Sequence, residues 1–359
     1  MQKHKVIHVI YSGLGGHANV VFPLLESEFG EKHTHVLVFF GVEETLPDYL
    51  VKSEELGIKT YSIQKKPRKY LKAFSRFKEI LELESPDRII VHSSELIMPA
   101  KIYSEKKPGV KVFYAEHENN QSKGRSLRMF SKYALRKADA VVCLNDNYKA
   151  ELQKKYKCKV PIHVIHNGVD TDKFKPTKDK KATPIVIGMA SRMIPGKDHI
   201  NLLKAFKSIL KNHPNTELHL AGEGETFEKV KALSISLELQ NNVQFLGLLN
   251  EVEMLAFYSK IHTYVLATHA ETLSTAILQA MSCGLPVLTS DIPNNKLLIQ
   301  PNETGWLYKD KNSLDLADQL NEMLSDLTVA NKIGEKARAA VIERYSIKTN
   351  AQKYTELIQ

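Results

Sequence analysis

Cysteine is scarce: Cys143, Cys158 and Cys283 are the only three in 359 residues. Thiols so few and so scattered build neither a disulfide framework nor a zinc site, and a reducing cytoplasm is the expected location. Long apolar runs are missing as well. A stretch such as HVLVFFGV (35–42) falls well short of the roughly 18 residues that a membrane span requires. The start, MQKHKVIHVIYSG, is strand-like, and no cleavable leader is expected. No low-complexity tract occurs. With 43% hydrophobic and 25% charged residues the composition is that of an ordinary soluble folded protein. Its length exceeds what one hydrophobic core usually supports, so two domains are expected.

Charge is unevenly placed. Residues 1–181 hold 33 Lys+Arg against 22 Asp+Glu, a balance of +11, whereas 182–359 hold 17 against 19, a balance of −2. A basic first half suggests an anionic partner, such as a phospholipid surface, a phosphorylated substrate or nucleic acid. A solvated lysine-rich surface is the plainer alternative.

Short β-branched runs alternate with helical patterns along the whole chain. In the first half the strand candidates are 5–11, 35–40, 58–63, 88–92, 111–115, 140–144 and 162–166, with helical stretches such as LKAFSRFKEILELE (71–84) between them. The segment KFKPTKDKKATP (173–184) is charged, has two prolines and lacks apolar periodicity, which reads as a linker. The alternation then restarts with strands at 184–190, 216–222, 242–247, 262–268 and 286–290, and helices at 199–212, 226–239 and 274–283. The expected fold is α/β, two Rossmann-like doubly wound parallel-sheet domains facing each other across a cleft. The first covers 1–172 and the second 185–340, and 341–359 form a closing helix that packs back on the first.

Three loops of the second domain point at one ligand. In ASRMIPGKDH (190–199), between a strand and a helix, Arg192 and Lys197 can reach a phosphate while Gly196 permits a tight backbone. In AGEGETFEK (221–229), Gly222 and Gly224 again follow a strand and open a helix, although a bare G-x-G is weak. In ETLSTAILQAMSCGLP (271–286), Ser274 and Thr275 are expected at the start of a helix, whose unpaired amides and partial positive charge cradle phosphate. Gln279 lies one turn deeper than Thr275 on the same face, beside a ribose, and Glu271 reaches beyond the phosphate. A capped core helix would account for Ala276, Ile277 and Met281 but leave Glu271 and Gln279 idle. In the first domain, Gly15 and Gly16 follow strand one, where a ligand can approach the backbone closely or the chain simply turns. His117, in YAEHENN (114–120), stands at the carboxyl edge of a strand.

A strand followed by Glu271, seven residues, Gln279 and then A-M-x-x-G-x-P-V resembles the signature of the family-4 retaining glycosyltransferases of the GT-B fold. GLGGHANVV (13–21), HNGVDTDKF (166–174), SRMIPGKDH, AGEGE, NETGWLY (302–308) and IERYSIKTNAQKY (342–354) match further parts of that family in the right order. The resemblance implies that Arg192 and Lys197 clamp the donor diphosphate, that Glu271 hydrogen-bonds the transferred sugar and that Ser274 and Thr275 offer amides to phosphate. It also assigns the Gly15–Gly16 loop and Gly222 to the donor site and places His117 against the donor sugar. Gln279 departs from the family, which usually has a second Glu there to bind the ribose. Glutamine keeps an acceptor and the reach, loses the charge and adds a donor.

The implied reaction moves a sugar from a UDP- or GDP-linked donor to a hydroxyl of a glycan or lipid-linked acceptor, as in surface polysaccharide synthesis. Retention follows from the resemblance alone. No residue stands out as a covalent nucleophile, so a same-face displacement is expected, in which the donor phosphate takes the acceptor's proton and domain closure excludes water. No cofactor and no catalytic metal are expected; the D-x-D of VDTD (169–172) reads as structural. The basic segment KKPRKYLKAFSRFK (65–78), with Tyr70, Leu71, Phe74 and Phe77 at helical spacing, suggests a helix on the anionic inner face of the cell membrane, extended by 123–137, or equally a packed amphipathic helix. Rival readings are a sugar-nucleotide epimerase on the same scaffold and a two-lobed ligand-binding protein. A nucleic-acid partner is not expected, for want of an aromatic-basic motif.

Overall fold

The computed structural model describes residues 2–13, 15–67, 69–117, 123–177 and 183–359. Parts of the segments 114–120 and 173–184 therefore lie outside the described residues. The chain divides into two units, Met1–Gly168 together with Ile347–Gln359, and Val169–Ser346.

The first unit is built on a parallel sheet of β1 (Lys5–Tyr11), β2 (Thr34–Gly41), β3 (Lys59–Gln64), β4 (Arg88–Val91), β5 (Lys111–Glu116), β6 (Ala140–Cys143) and β7 (Ile162–Val164), in the order β3-β2-β1-β4-β5-β6-β7. Its central strands are apolar on both faces because helices cover both. Val6, Ile7, Val9 and Ile10 of β1 are fully buried, each burial contributing about 2 kcal/mol before chain entropy is counted. The helix Ile347–Ile358 belongs to this unit: Ala351, Tyr354 and Ile358 pack with Val6, Phe29, Ile90 and Phe113.

The second unit repeats the plan with β8 (Ile185–Ala190), β9 (Thr216–Ala221), β10 (Val243–Gly247), β11 (Thr263–Leu266), β12 (Val287–Ser290) and β13 (Trp306–Tyr308), in the order β10-β9-β8-β11-β12-β13. The short β13 has no counterpart in the strand pattern read from the sequence. Helices stand at His199–Ile209, Phe227–Ser236 and Thr275–Ser282, within the three expected stretches.

Part of the segment expected to be a linker is fixed on the second unit. Phe174 is buried against the ring of Tyr258, and its carbonyl accepts hydrogen bonds from Ser282 Oγ (2.6 Å) and Arg338 Nη1 (3.1 Å). In the D-x-D, Asp170 Oδ1 accepts the backbone N–H groups of Asp172 and Lys173 at 3.0 and 2.9 Å, which closes a turn.

The helix Leu71–Glu84 turns its aromatic face inward. Phe77 is fully buried, and Tyr70 and Phe74 pack on the ring of Phe130, whereas Leu71 is exposed. The aromatic face is thus packed within the unit, and the outer face, with Leu71 and the lysines, meets solvent.

Candidate active site

In each sheet the strand order reverses once, between β1 and β4 in the first and between β8 and β11 in the second. Loops leaving neighbouring strands diverge there and open a crevice at their carboxyl ends, where doubly wound sheets take ligands. Gly15 and Gly16 follow β1 at the first of these points, and Arg192, Lys197, Glu271, Ser274 and Thr275 follow β8 and β11 at the second, whereas His117 follows β5 and Gly222 follows β9.

In the second unit, the loop after β8 carries Arg192 and Lys197 and the loop after β11 carries Glu271. Backbone pairing fixes them together. Lys197 bridges Thr268, Asp198 N–H donates to Ala267 O (3.0 Å) and His269 N–H to Gly196 O (3.0 Å). The Lys197 ammonium is ion-paired with the Glu271 carboxylate, both side chains being largely buried. Arg192 is exposed and has no ion pair or side-chain hydrogen bond among the described residues. Asn294 Nδ2 donates to Glu271 O at 2.5 Å, tying this loop to the one after β12.

Ser274 is the N-cap of Thr275–Ser282, its Oγ accepting from Ile277 N–H at 3.3 Å. Thr275 is the first helical residue, so the opening amides lie a few residues beyond Glu271. Gln279 is half-buried one turn on. The Tyr258 hydroxyl lies 3.2 Å from both Gln279 Oε1 and Ala276 O, so the amide is held rather than idle.

His199, not singled out in the sequence, braces the basic loop at both ends. Its Nδ1–H donates to Lys197 O (2.9 Å), and the Ser191 hydroxyl donates to Nε2 (3.3 Å). Burial holds this imidazole down at about 4, so it stays neutral.

Gly222 and Gly224 serve first to let two loops touch. Both have positive φ, +122° and +150°, and a Cβ would lie 2.0 Å from Ser191 O at Gly222 and 2.4 Å from Met193 O at Gly224. Without side chains the loops join, Met193 N–H donating to Glu223 O at 2.8 Å. Gly222→Ala is therefore expected to lower stability by roughly 3 kcal/mol through strain and overlap. Urea denaturation checks this, and an unchanged midpoint would remove the packing role.

In the first unit, Gly15 and Gly16 lie between β1 and the helix Ala18–Glu26. A Cβ on Gly16 would meet nothing within 4 Å, and one on Gly15 only the Tyr11 ring at 3.3 Å and Gly13 O at 3.9 Å. The chain itself does not require Gly16, and open space at that loop is what a bound group would use. His117 follows β5, its Nε2 2.8 Å from Nδ1 of His92 at the end of β4. The His17 ring centroid stands 5.1 Å from that of His117. Burial holds His92 and His117 well below the usual imidazole range and His17 at about 4. Behind them Lys123 is buried, donating to Glu116 Oε2 (2.5 Å), Ser131 Oγ (2.8 Å) and Tyr114 OH (3.1 Å). His17, His92 and Lys123 were missed in the sequence; the signal was histidine repeated at the carboxyl ends of adjacent strands.

Among the described residues no group of three His, Cys, Asp or Glu is arranged to hold a metal ion, and no helix is long and apolar enough to cross a membrane.

Comparison with known proteins agrees with this fold. Family models match over nearly the whole chain, Glycosyltransferase Family 4 over 14–173 and Glycosyl transferases group 1 over 170–340. An uncharacterized glycosyltransferase of Haemophilus influenzae is 25% identical, over 89% of this chain and 87% of its own. The Escherichia coli UDP-Gal:alpha-D-GlcNAc-diphosphoundecaprenol alpha-1,3-galactosyltransferase is also 25% identical, over 80% and 79%. Anabaena HepE, solved in complex with UDP and glucose, superposes over 99% of both chains with a TM-score of 0.83 at 18% identity. The chain belongs to the family-4 glycosyltransferases, enzymes of the GT-B fold.

Proposed function

We propose that this enzyme transfers a hexosyl group from a UDP-sugar to a hydroxyl of a lipid-linked glycan, with retention, in surface polysaccharide synthesis, and that it needs no catalytic metal. The observation that carries the reading is the join of Lys197 to Glu271 beside exposed Arg192 and the amide-rich start of Thr275–Ser282, at the reversal point of the second sheet. When the glycosidic C–O bond breaks, the diphosphate leaves with the electron pair. Arg192, Lys197 and the helix start stabilise that charge. The acceptor oxygen bonds to the anomeric carbon on the same face and its proton passes to the departing phosphate oxygen. Glu271, released from Lys197 as the phosphate arrives, takes the sugar hydroxyls. Gln279 meets the ribose.

The uridine donor and lipid-linked acceptor rest on the galactosyltransferase relative, whose name carries both. An apolar hollow between Leu71–Glu84 and Ile97–Ser104, lined by Phe74, Met98 and Ile102 with Lys78, Glu82 and Lys106 beside them, suits a polyprenyl chain. It also suits a location at the inner face of the cell membrane, reached through the basic first unit. The test is thermal shift with UDP, GDP and ADP in EDTA. UDP at a hundred times its Kd is expected to add about 2.7 kcal/mol of stability, a rise of a few degrees. No shift with any of the three overturns the donor site, and a shift with GDP alone overturns the uridine assignment.

A further inference from the structure

A third loop of the second unit, the one after β13, meets the loops after β8 and β11 through a single ring. Asp310 Oδ1 lies 2.7 Å from His269 Nδ1, and the other ring nitrogen, Nε2, lies 3.5 Å from Asp198 Oδ2. A carboxylate oxygen only accepts, so the Nδ1–H of His269 donates to Asp310. None of the three side chains is more than 27% exposed. Asp198 is the neighbour of Lys197, and His269 stands two residues before Glu271. The ring therefore grips both donor-site loops beside the charged groups they carry.

Both ends of this clasp are fixed. On the Asp310 side, Lys309 N–H donates to Asp315 Oδ2 at 2.6 Å. Asn312 caps the helix Ser313–Ser325, accepting the Leu314 and Asp315 N–H groups at 3.1 Å. On the other side, Asp198 caps His199–Ile209, accepting Asn201 N–H at 3.3 Å. The ammonium of Lys197 sits on a flexible four-carbon stem, so its position depends on how firmly the backbone beneath it is held. A displacement of about 1 Å in such a group can cost on the order of 10²-fold in rate.

We infer that His269 is a positioning residue: holding Asp310 and Asp198 at once, it pins the loops of Lys197 and Glu271 to the frame of the second unit, so that the ammonium is in place when the donor diphosphate arrives. This rests on the proposed contact between Lys197 and the diphosphate. Truncating the ring spares the backbone bonds from Asp198 N–H to Ala267 O and from His269 N–H to Gly196 O. The fold therefore persists while the setting of Lys197 is lost.

The test measures the Kd of UDP by calorimetry and amide exchange by mass spectrometry, both on the full chain. His269→Ala and Asp310→Ala are each expected to raise Kd about tenfold, the worth of one charge-assisted hydrogen bond. The double variant is expected to go no further, because both changes cut the same bond. His269→Asn, whose side-chain N–H stands where Nδ1–H stood, is expected to bind as the wild type does. With Lys197 already replaced by alanine, His269→Ala is expected to leave Kd unchanged, the mark of a residue acting through Lys197. Unaltered binding in His269→Ala, or losses that multiply in either pair, overturn the inference. The amides of 194–199 and 267–271 are expected to exchange faster in His269→Ala but not in His269→Asn. Equal exchange in both variants and the wild type also overturns it. Should His269→Ala fail to fold, Asp310→Ala carries the same comparisons. Absence of UDP binding in the wild type would sink the donor reading instead, and leave amide exchange to judge the clasp.

Discussion

Alanine at both Arg192 and Lys197 is expected to lower kcat/KM for the sugar donor by roughly 10³-fold. One preorganised charge-stabilising group is commonly worth about 10²–10³ in rate, and two groups on the same diphosphate combine less than additively. The single variants are expected to differ. Arg192 is exposed and unpaired among the described residues, so Arg192→Ala removes one attraction and nothing else. Lys197→Ala also strands Glu271, its ion-pair partner, leaving a carboxylate beside an incoming phosphate. It is the more damaging of the two. Folding is not at issue for Arg192, since truncating an exposed side chain usually changes stability by less than about 0.5 kcal/mol. Steady-state transfer with UDP-sugar, alongside a UDP melting shift for each variant, checks both claims. A double variant within threefold of wild type removes the diphosphate clamp.

The second large effect is acid destabilisation. His35 and His199 are buried, one in each unit, and each is held at about 4 against an ordinary 6.5. Their folded pKa values lie below the unfolded value, so the unfolded chain binds protons first as pH falls. Stability is complete above about pH 6.5 and is lost between there and about 4. Each of the two groups accounts for on the order of 3 kcal/mol across that window, out of a total of about 5–15 for a typical domain. His8 and His92, also held well below the usual imidazole range by burial, push in the same direction. Urea midpoints at pH 7, 5.5 and 4.5 should fall steadily, and His35→Gln should flatten part of the fall. A midpoint unchanged from pH 7 to 4.5 contradicts the buried neutral imidazoles.

Much of the scaffold was legible in the sequence because parallel strands covered on both faces are written as unbroken apolar runs such as those of β1 and β2. Three-residue β13 was not, since Trp306–Tyr308 stands alone between polar stretches, whereas the equally short β7 sits within the longer run IHVIH (162–166). The same limit hid the direction of Tyr70, Phe74 and Phe77: helical spacing shows that they share a face, not what that face meets. Arg192, Lys197, Glu271 and Ser274 could be proposed as partners because each sits at a strand-to-helix junction. The ion pair itself joins residues 74 apart, and the paired imidazoles His8–His35, His8–His92 and His92–His117 are 27, 84 and 25 apart. Such contacts follow from strand order, which no local pattern carries. Gly222 and Gly224 were legible as glycines after a strand but not as the point where two loops touch.

The helix Ile347–Ile358 lies in the core of the first unit although the whole of 169–346 intervenes in the chain. On the ribosome, at about 5–20 residues per second, that interval lasts roughly 10–35 s. Throughout it the faces of Val6, Phe29, Ile90 and Phe113 that Ala351, Tyr354 and Ile358 will cover stay open to solvent and to chaperones. The half made first is thus the half finished last, and the second half can mature while the earlier one waits for its final segment.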